Sequence, residues 1–457
     1  MATTAPVELP FYMQGNFAPV SEETTATDLR VTGRIPESLR GLYLRNGPNP
    51  PNGDPGHWFV GDGMVHGVRI EDGRASWYRN RWVQTRHLLE DAQFVSEDGG
   101  IDHSAAVANT NIVSHAGRIY ALVETSFPTE MDAGLGTVGT NDFGGRLETG
   151  FTAHPKICPT TGEMHAFGYR FAPPFLTYLR LDARGELVQV EEIPIPAPVM
   201  MHDFAITESH VVWMDLPIVF SFDAVAEGRR MPYLWSDEHP ARLGLMPRGG
   251  RGDQVQWFDI DPCYVFHPMN ACERDGRVVL DVARYPELWR GDSGGFDQAK
   301  LHRFTLDPAS GRASEAPLDD RPLEFPRVDP RREGLPNRYG YAVHEPIGGE
   351  TQGSALVKYD LEAGGAEIHD FGPGRAPGEG VFVPSGPDAD EDDGVVMTFV
   401  YDAARDASDL VLLAGSDFAG EPVATIELPA RVPFGFHGNW APEPAEGFAR
   451  PEGGDRG

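Results

Sequence analysis

Fifteen histidines are spread over 457 residues, and four of them share a local setting, beside apolar or small residues and next to stretches that read as strands. These are Ala153-His154-Pro155, Met201-His202-Asp203, Phe266-His267-Pro268 and Phe436-His437-Gly438. Imidazole is the commonest metal-ligating side chain and the one that titrates near neutral pH, so a set of histidines points to metal or proton chemistry. Successive members lie 48, 65 and 170 residues apart, too far for one local ligand motif. They can meet only in a fold that carries distant strands to a common point. Without such a fold they are four unrelated histidines.

The elements that would have to position them are short strands joined by turns. Asn111–Val113 with Arg118–Val123, Pro174–Leu181 with Glu186–Ile193, and Asp203–Thr207 with Val211–Leu216 read as hairpins. So do Tyr264–Ala271 with Arg277–Arg284, Ser354–Leu361 with Ala366–Phe371, and Val395–Tyr401 with Asp409–Ala414. Two alternating runs around a Gly- or Asp-bearing turn are the strongest short-range hairpin signal. Helical periodicity is confined to Trp82–Asp91 and Asp223–Arg229, which we place in loops between strands. Strand–helix alternation is missing, which disfavours a parallel α/β sheet. Hairpins repeated over this length need an architecture that manages sheet edges, and a β-propeller does so by radial repetition. Its inner strands all reach one axis, where histidines from different blades can meet. The expected fold is an all-β propeller, with a multi-sheet sandwich as the alternative.

Composition narrows the function. The 53 glycines and 40 prolines fit many turns, and 40% hydrophobic residues suffice for a sizeable core. With 69 acidic against 38 basic side chains the net charge is −31, which argues against a nucleic-acid partner. The run Arg248 to Arg251 is short, Gly-rich and read as a solvated loop. Three cysteines, Cys158, Cys263 and Cys272, make neither a disulfide framework nor a CxxC zinc site, so a reducing cytoplasm is the expected location. Residues 1–14 lack the basic and apolar regions of a secretory signal, and no apolar run approaches the ~18 residues of a membrane span. A Walker loop and an HExxH motif are missing. The expected layout is an N-terminal segment over 1–25, partly flexible, one propeller domain over 26–441, and a flexible acidic tail over 442–457.

Ordered motifs sharpen the reading. Arg45-Asn46-Gly47-Pro48-Asn49-Pro50, His57-Trp58-Phe59 and Gly61-Asp62-Gly63-Met64 are followed by Asn109-Thr110-Asn111 and Thr152-Ala153-His154-Pro155-Lys156. Then come Met201-His202-Asp203-Phe204, Phe266-His267-Pro268, Glu324-Phe325-Pro326 and Gly435-Phe436-His437-Gly438-Asn439-Trp440. Together, and in this order, they resemble the carotenoid cleavage oxygenases, a family that includes the lignostilbene dioxygenases. The resemblance implies a seven-bladed β-propeller, with short helices and loops capping one face over an axial metal site. It implies one Fe(II) per chain held by His154, His202, His267 and His437, with O2 as co-substrate. Four neutral imidazoles suit ferrous iron and leave coordination positions open for O2. Glu124, Glu324 and Glu379 match the carboxylates that orient His202, His267 and His437, leaving His154 without a glutamate. Gly380 follows Glu379 where many relatives carry proline. Thr110 matches a small residue that crowds one open iron position.

The same resemblance leads to a reaction: oxidative cleavage of one C=C bond of a carotenoid or apocarotenoid into two carbonyl products. In the stilbene-cleaving branch a lysine precedes the first of these glutamates and recognises a phenol oxygen; here the position is Val123, which cannot anchor a phenolate. A long apolar polyene is therefore favoured over a stilbene-like phenylpropenoid, the alternative substrate. Phe59, Trp82, Phe127 and Phe325, with Val123, are candidate substrate-lining residues. Two rival functions stand beside cleavage: an isomerohydrolase that keeps the iron without oxygenation, and a non-catalytic propeller that binds an apolar ligand. Transient peripheral contact with a membrane through Trp82–Leu89 or Leu216–Phe222 is also expected. Nothing in the sequence sets an oligomeric state.

Overall fold

Tight turns with left-handed residues punctuate the chain and set its hairpins. Asp72-Gly73 joins Gly63–Glu71 to Arg74–Trp82, Ala116-Gly117 joins Asn111–His115 to Arg118–Leu122, and Asp275-Gly276 joins Tyr264–Arg274 to Arg277–Tyr285. Both residues of each pair have positive φ, the conformation in which a two-residue turn matches the twist of the strands it connects. The computed structural model describes residues 9–96, 100–291, 297–344, 355–445 and 447–448. It is mostly β, 46% strand against 6% helix.

Among the described residues all strand pairings are antiparallel. Sheets of four strands are built from Asn111–His115 through Thr137–Thr140, from Lys156–Ile157 through Leu187–Ile193, and from Ala205–Ile206, His210–Asp215, Arg242–Pro247 and Gln256–Asp259. Tyr264–Arg274 begins a seven-stranded sheet that ends at Ala366–Asp370. In it the long strand Arg312–Arg327 serves two neighbours: residues up to Pro322 pair with Lys300–Asp307, and Leu323, Glu324 and Arg327 pair with Tyr339–His344. The two ends of the chain complete each other's sheets. Gly438–Pro442 pairs with Gly41–Pro48, and Val31–Gly33 pairs with Ala424–Glu427. Apolar residues pack between neighbouring sheets, as where Phe167 of one meets Trp213 of the next edge-on with ring centroids 6.1 Å apart.

The hairpins fall where turn chemistry and alternation place them, with Ser354 of the expected Ser354–Leu361 run lying outside the described residues. Trp82–Asp91 is corrected: Trp82 closes a strand, and the helix covers only Arg86–Glu90, where the Thr85 side chain accepts from the Leu88 amide. The second helix covers Phe222–Ala226, capped likewise by Ser221. Residues 1–8 of the N-terminal segment lie outside the described residues, but its remainder is anchored, with Asn16 and Phe17 buried and the Val20 amide bonded to Asn49. Of the expected tail, residue 446 and residues 449–457 lie outside the described residues, whereas Pro442 belongs to a strand and Glu443 accepts from Arg69 at 2.6 Å. Among the described residues no helix is long and apolar enough to cross a membrane.

Two glycines fix how the chain ends meet. A Cβ on Gly435 would stand 2.8 Å from the Gly47 Cα, and one on Gly47 would stand 2.7 Å from the Gly435 Cα. Two backbones in direct contact leave no volume for a methyl group. Gly435→Ala is therefore expected to destabilise the protein by about 2 kcal/mol, an overpacking cost, measured as a lower denaturation midpoint. An unchanged midpoint would contradict the close approach.

Candidate metal centre

Each of the four histidines lies on, or within three residues of, the edge strand of a different sheet. His154 precedes Lys156–Ile157, His202 precedes Ala205–Ile206, His267 is within Tyr264–Arg274, and His437 abuts Gly438–Pro442. Asparagines from the ordered motifs tie these edges together. Asn46 donates to the carbonyls of Ala108 and Asn111, Asn111 to the carbonyl of Ala153, and Asn439 to Asn111 and Ile112. The edges that carry His154 and His437 are thus each tied to the strand of Asn111 by side-chain amide hydrogen bonds.

The four rings converge. Their ligand nitrogens all lie within 4.8 Å of one another, and all four residues are buried. His202 Nε2 stands 3.0 Å from His154 Nε2 and 3.1 Å from His267 Nε2. Three Nδ1 atoms face carboxylates: His202 meets Glu124, His267 meets Glu324 at 2.6 Å, and His437 meets Glu379 at 3.0 Å. The carboxylate facing His154 Nδ1 is that of Asp203 at 3.8 Å, outside hydrogen-bond reach. Nδ1–H groups bonded to carboxylates leave the Nε2 atoms as bare lone pairs. Lone pairs at this separation repel unless a cation lies among them. Nitrogens at right angles around a metal with bonds of about 2.1 Å stand about 3.0 Å apart, so the donor set fits a divalent metal.

Burial keeps two of the donors in that state. Burial holds His154 well below the ordinary imidazole range and takes His437 down to about 4. At His267 burial is outweighed by the charge of Glu324, which raises it. Burial resists ionisation of Glu379, but Arg327 at 3.2 Å and His437 outweigh it and hold the carboxyl at about 2. The second oxygens of the other two glutamates accept from phenols, Glu124 from Tyr169 at 2.6 Å and Glu324 from Tyr285 at 2.8 Å. Thr125 and Phe325, the residues after those two glutamates, have φ of 67° and 52°. That left-handed backbone is unusual for a non-glycine residue and gathers at functional sites.

An apolar pocket of about 100 Å3 adjoins the histidines. Of the candidate lining residues, Phe59, Val123 and Phe325 line it beside Thr110, and Trp82 and Phe127 do not. The Trp82 indole donates to the Asn49 carbonyl at 2.8 Å, and Phe127 packs against the apolar cluster that contains Val113 and Leu122. Trp58, Phe266, Tyr285 and Phe436 also line the pocket, outside the expected lining set. The only sequence signal for two of them is that each immediately precedes a histidine of the set.

Comparisons with known proteins agree with this geometry. A family model described as retinal pigment epithelial membrane protein matches residues 17–442. A carotenoid cleavage oxygenase of Mycobacterium tuberculosis is 40% identical over 94% of this chain and 97% of its own. Among solved structures, a lignostilbene dioxygenase of Pseudomonas brassicacearum superposes with a TM-score of 0.86 at 30% identity, over 95% of this chain and all of its own. A cobalt-substituted apocarotenoid oxygenase of Synechocystis superposes at 0.82 and 28%, over 93% and 97%.

Removing a carboxylate should loosen the set without unfolding it. Glu324→Ala is expected to lower metal affinity by about 10–100-fold, read by metal content after dialysis against graded chelator. Unchanged retention would mean that Glu324 does not orient His267.

Proposed function

Because the chain belongs to the carotenoid cleavage oxygenase family, we propose that it is an iron(II)-dependent dioxygenase. It cleaves one C=C bond of a carotenoid or apocarotenoid with O2, giving two carbonyl products. His154, His202, His267 and His437 would hold the metal, and Glu124, Glu324 and Glu379 would orient their rings. Bound there, iron would supply the redox chemistry that lets O2 react with an alkene.

The surrounding residues position the alkene and exclude water. Trp58, Phe59, Phe266, Phe325 and Phe436 offer ring faces to a flat conjugated chain. The Thr110 hydroxyl donates to Asn109 at 2.9 Å, which leaves its methyl group as the bulk beside the metal position. The observation that carries the substrate class is the commitment of the pocket's polar groups. The Thr110 and Tyr285 hydroxyls and the Glu324 carboxylate are all bonded within the protein, and Val123 is aliphatic. A site without a phenol anchor discriminates poorly for a hydroxystilbene, so an apolar polyene is favoured. Stilbene cleavage is the second reading, on the strength of the likeness to the lignostilbene dioxygenase.

We extend the same reading to the architecture, a single seven-bladed propeller over residues 26–441. Dividing the seven-stranded sheet at Arg312–Arg327 gives two four-stranded units, and with the other large sheets the total is seven. The pairing of Gly438–Pro442 with Gly41–Pro48 supports a closed ring. We also propose hydrophobic, transient contact with lipid through exposed Leu89, Phe222 and Val225.

Iron-loaded protein is expected to release aldehyde from an apocarotenal in air, and chelation or His202→Ala to abolish release. Label from 18O2 should enter the products; cleavage of a hydroxystilbene alone would overturn the substrate class, and unlabelled products the oxygenase reading. Sedimentation with neutral phosphatidylcholine vesicles should persist in high salt and weaken in Phe222→Ser. Binding that vanishes in high salt would contradict hydrophobic docking.

A further inference from the structure

A second cavity, of about 700 Å3, also ends at the histidines. Its lining shares only His267 and His437 with that of the apolar pocket; His202 faces the pocket alone, and His154 faces this vestibule alone. The four histidines thus stand as a partition between two different spaces. The pocket has no exposed residue in its lining, and its one carboxylate, Glu324, is committed to His267, Tyr285 and the Phe325 amide. The vestibule runs out to exposed rim residues such as Ser38 and Ser385 and carries charged walls that include Lys156, Asp203, Arg327 and Glu333.

A hydrated divalent ion cannot shed its water cheaply among aromatic rings, whereas charged and polar walls replace hydration as it is lost. We propose that the metal reaches the histidines through the polar vestibule, and that metal exchange and occupation of the apolar pocket are therefore independent. The wall charges suit passage. Asp203 is paired with Lys156 at 3.0 Å and Glu379 with Arg327 at 3.2 Å, so these carboxylates attract a cation without being free to retain it short of the ligands. Conduction requires such attraction without tight binding on the way. Asp203, 3.8 Å from His154 Nδ1, stands next to the ligand that only the vestibule reaches.

The inference rests on the metal reading above, and the experiment separates the two. Metal-stripped full-length protein is mixed with Co2+, and uptake is followed by the visible absorption of the bound ion, with final stoichiometry measured separately. Ser114→Trp narrows the vestibule and Val123→Trp fills the pocket. Uptake is expected to slow about tenfold or more in Ser114→Trp with unchanged final stoichiometry, and to stay within about twofold of wild type in Val123→Trp. Wild-type uptake with and without a saturating apocarotenal under anaerobic conditions gives the same test without a substitution, and equal rates are expected. Slowing by the apocarotenal or by Val123→Trp, or no slowing by Ser114→Trp, would overturn the route while leaving the metal site intact. Protein that takes up no Co2+ would defeat the metal reading and the route with it.

Discussion

Nitrogen lone pairs brought within 4.8 Å of one another in a buried space impose the condition the rest of the structure meets. Such an arrangement is unstable unless a cation sits among the donors, and each ring must present its unprotonated nitrogen inward. Glu324 and Glu379 enforce that orientation by accepting from the opposite nitrogens of His267 and His437, and Glu124 stands against the same nitrogen of His202. They are in turn fixed by different partners, phenols at Glu124 and Glu324 and a guanidinium at Glu379. The outward sequence of donor, carboxylate and third partner accounts for buried charge that would otherwise be costly.

Edge strands solve the topological half of the problem. A histidine at the edge of one sheet can approach one at the edge of another, which residues in mid-sheet cannot. Edges are also the part of a sheet with unpaired backbone groups. Here Asn46, Asn111 and Asn439 satisfy carbonyls across the junctions, so the same contacts close the edges and set the ligand spacing. The meeting of Gly47 and Gly435 brings the N-terminal motif against the segment that carries His437.

The sequence reveals the hairpins because their turn chemistry is local: Ala116-Gly117 and Asp275-Gly276 announce themselves wherever they occur. The ligand set is not legible in that way. Spacings of 48, 65 and 170 residues carry no periodicity, and only the resemblance to a family selects His154, His202, His267 and His437 from fifteen histidines. Regular alternation would turn Phe266 away from the site of His267; the register shifts around Pro268, and both residues reach the pocket. For Trp82 and Phe127 the sequence gives ring type, which says nothing of direction. Trp82 instead satisfies a carbonyl at Asn49.

The central claim is that these four imidazoles form one complete ligand set. X-ray absorption on the iron-loaded protein tests it most directly. The account predicts four nitrogen neighbours at about 2.1 Å with the outer-ring scattering of imidazole. A shell with fewer imidazoles, or with a protein carboxylate oxygen bound to iron, would contradict it.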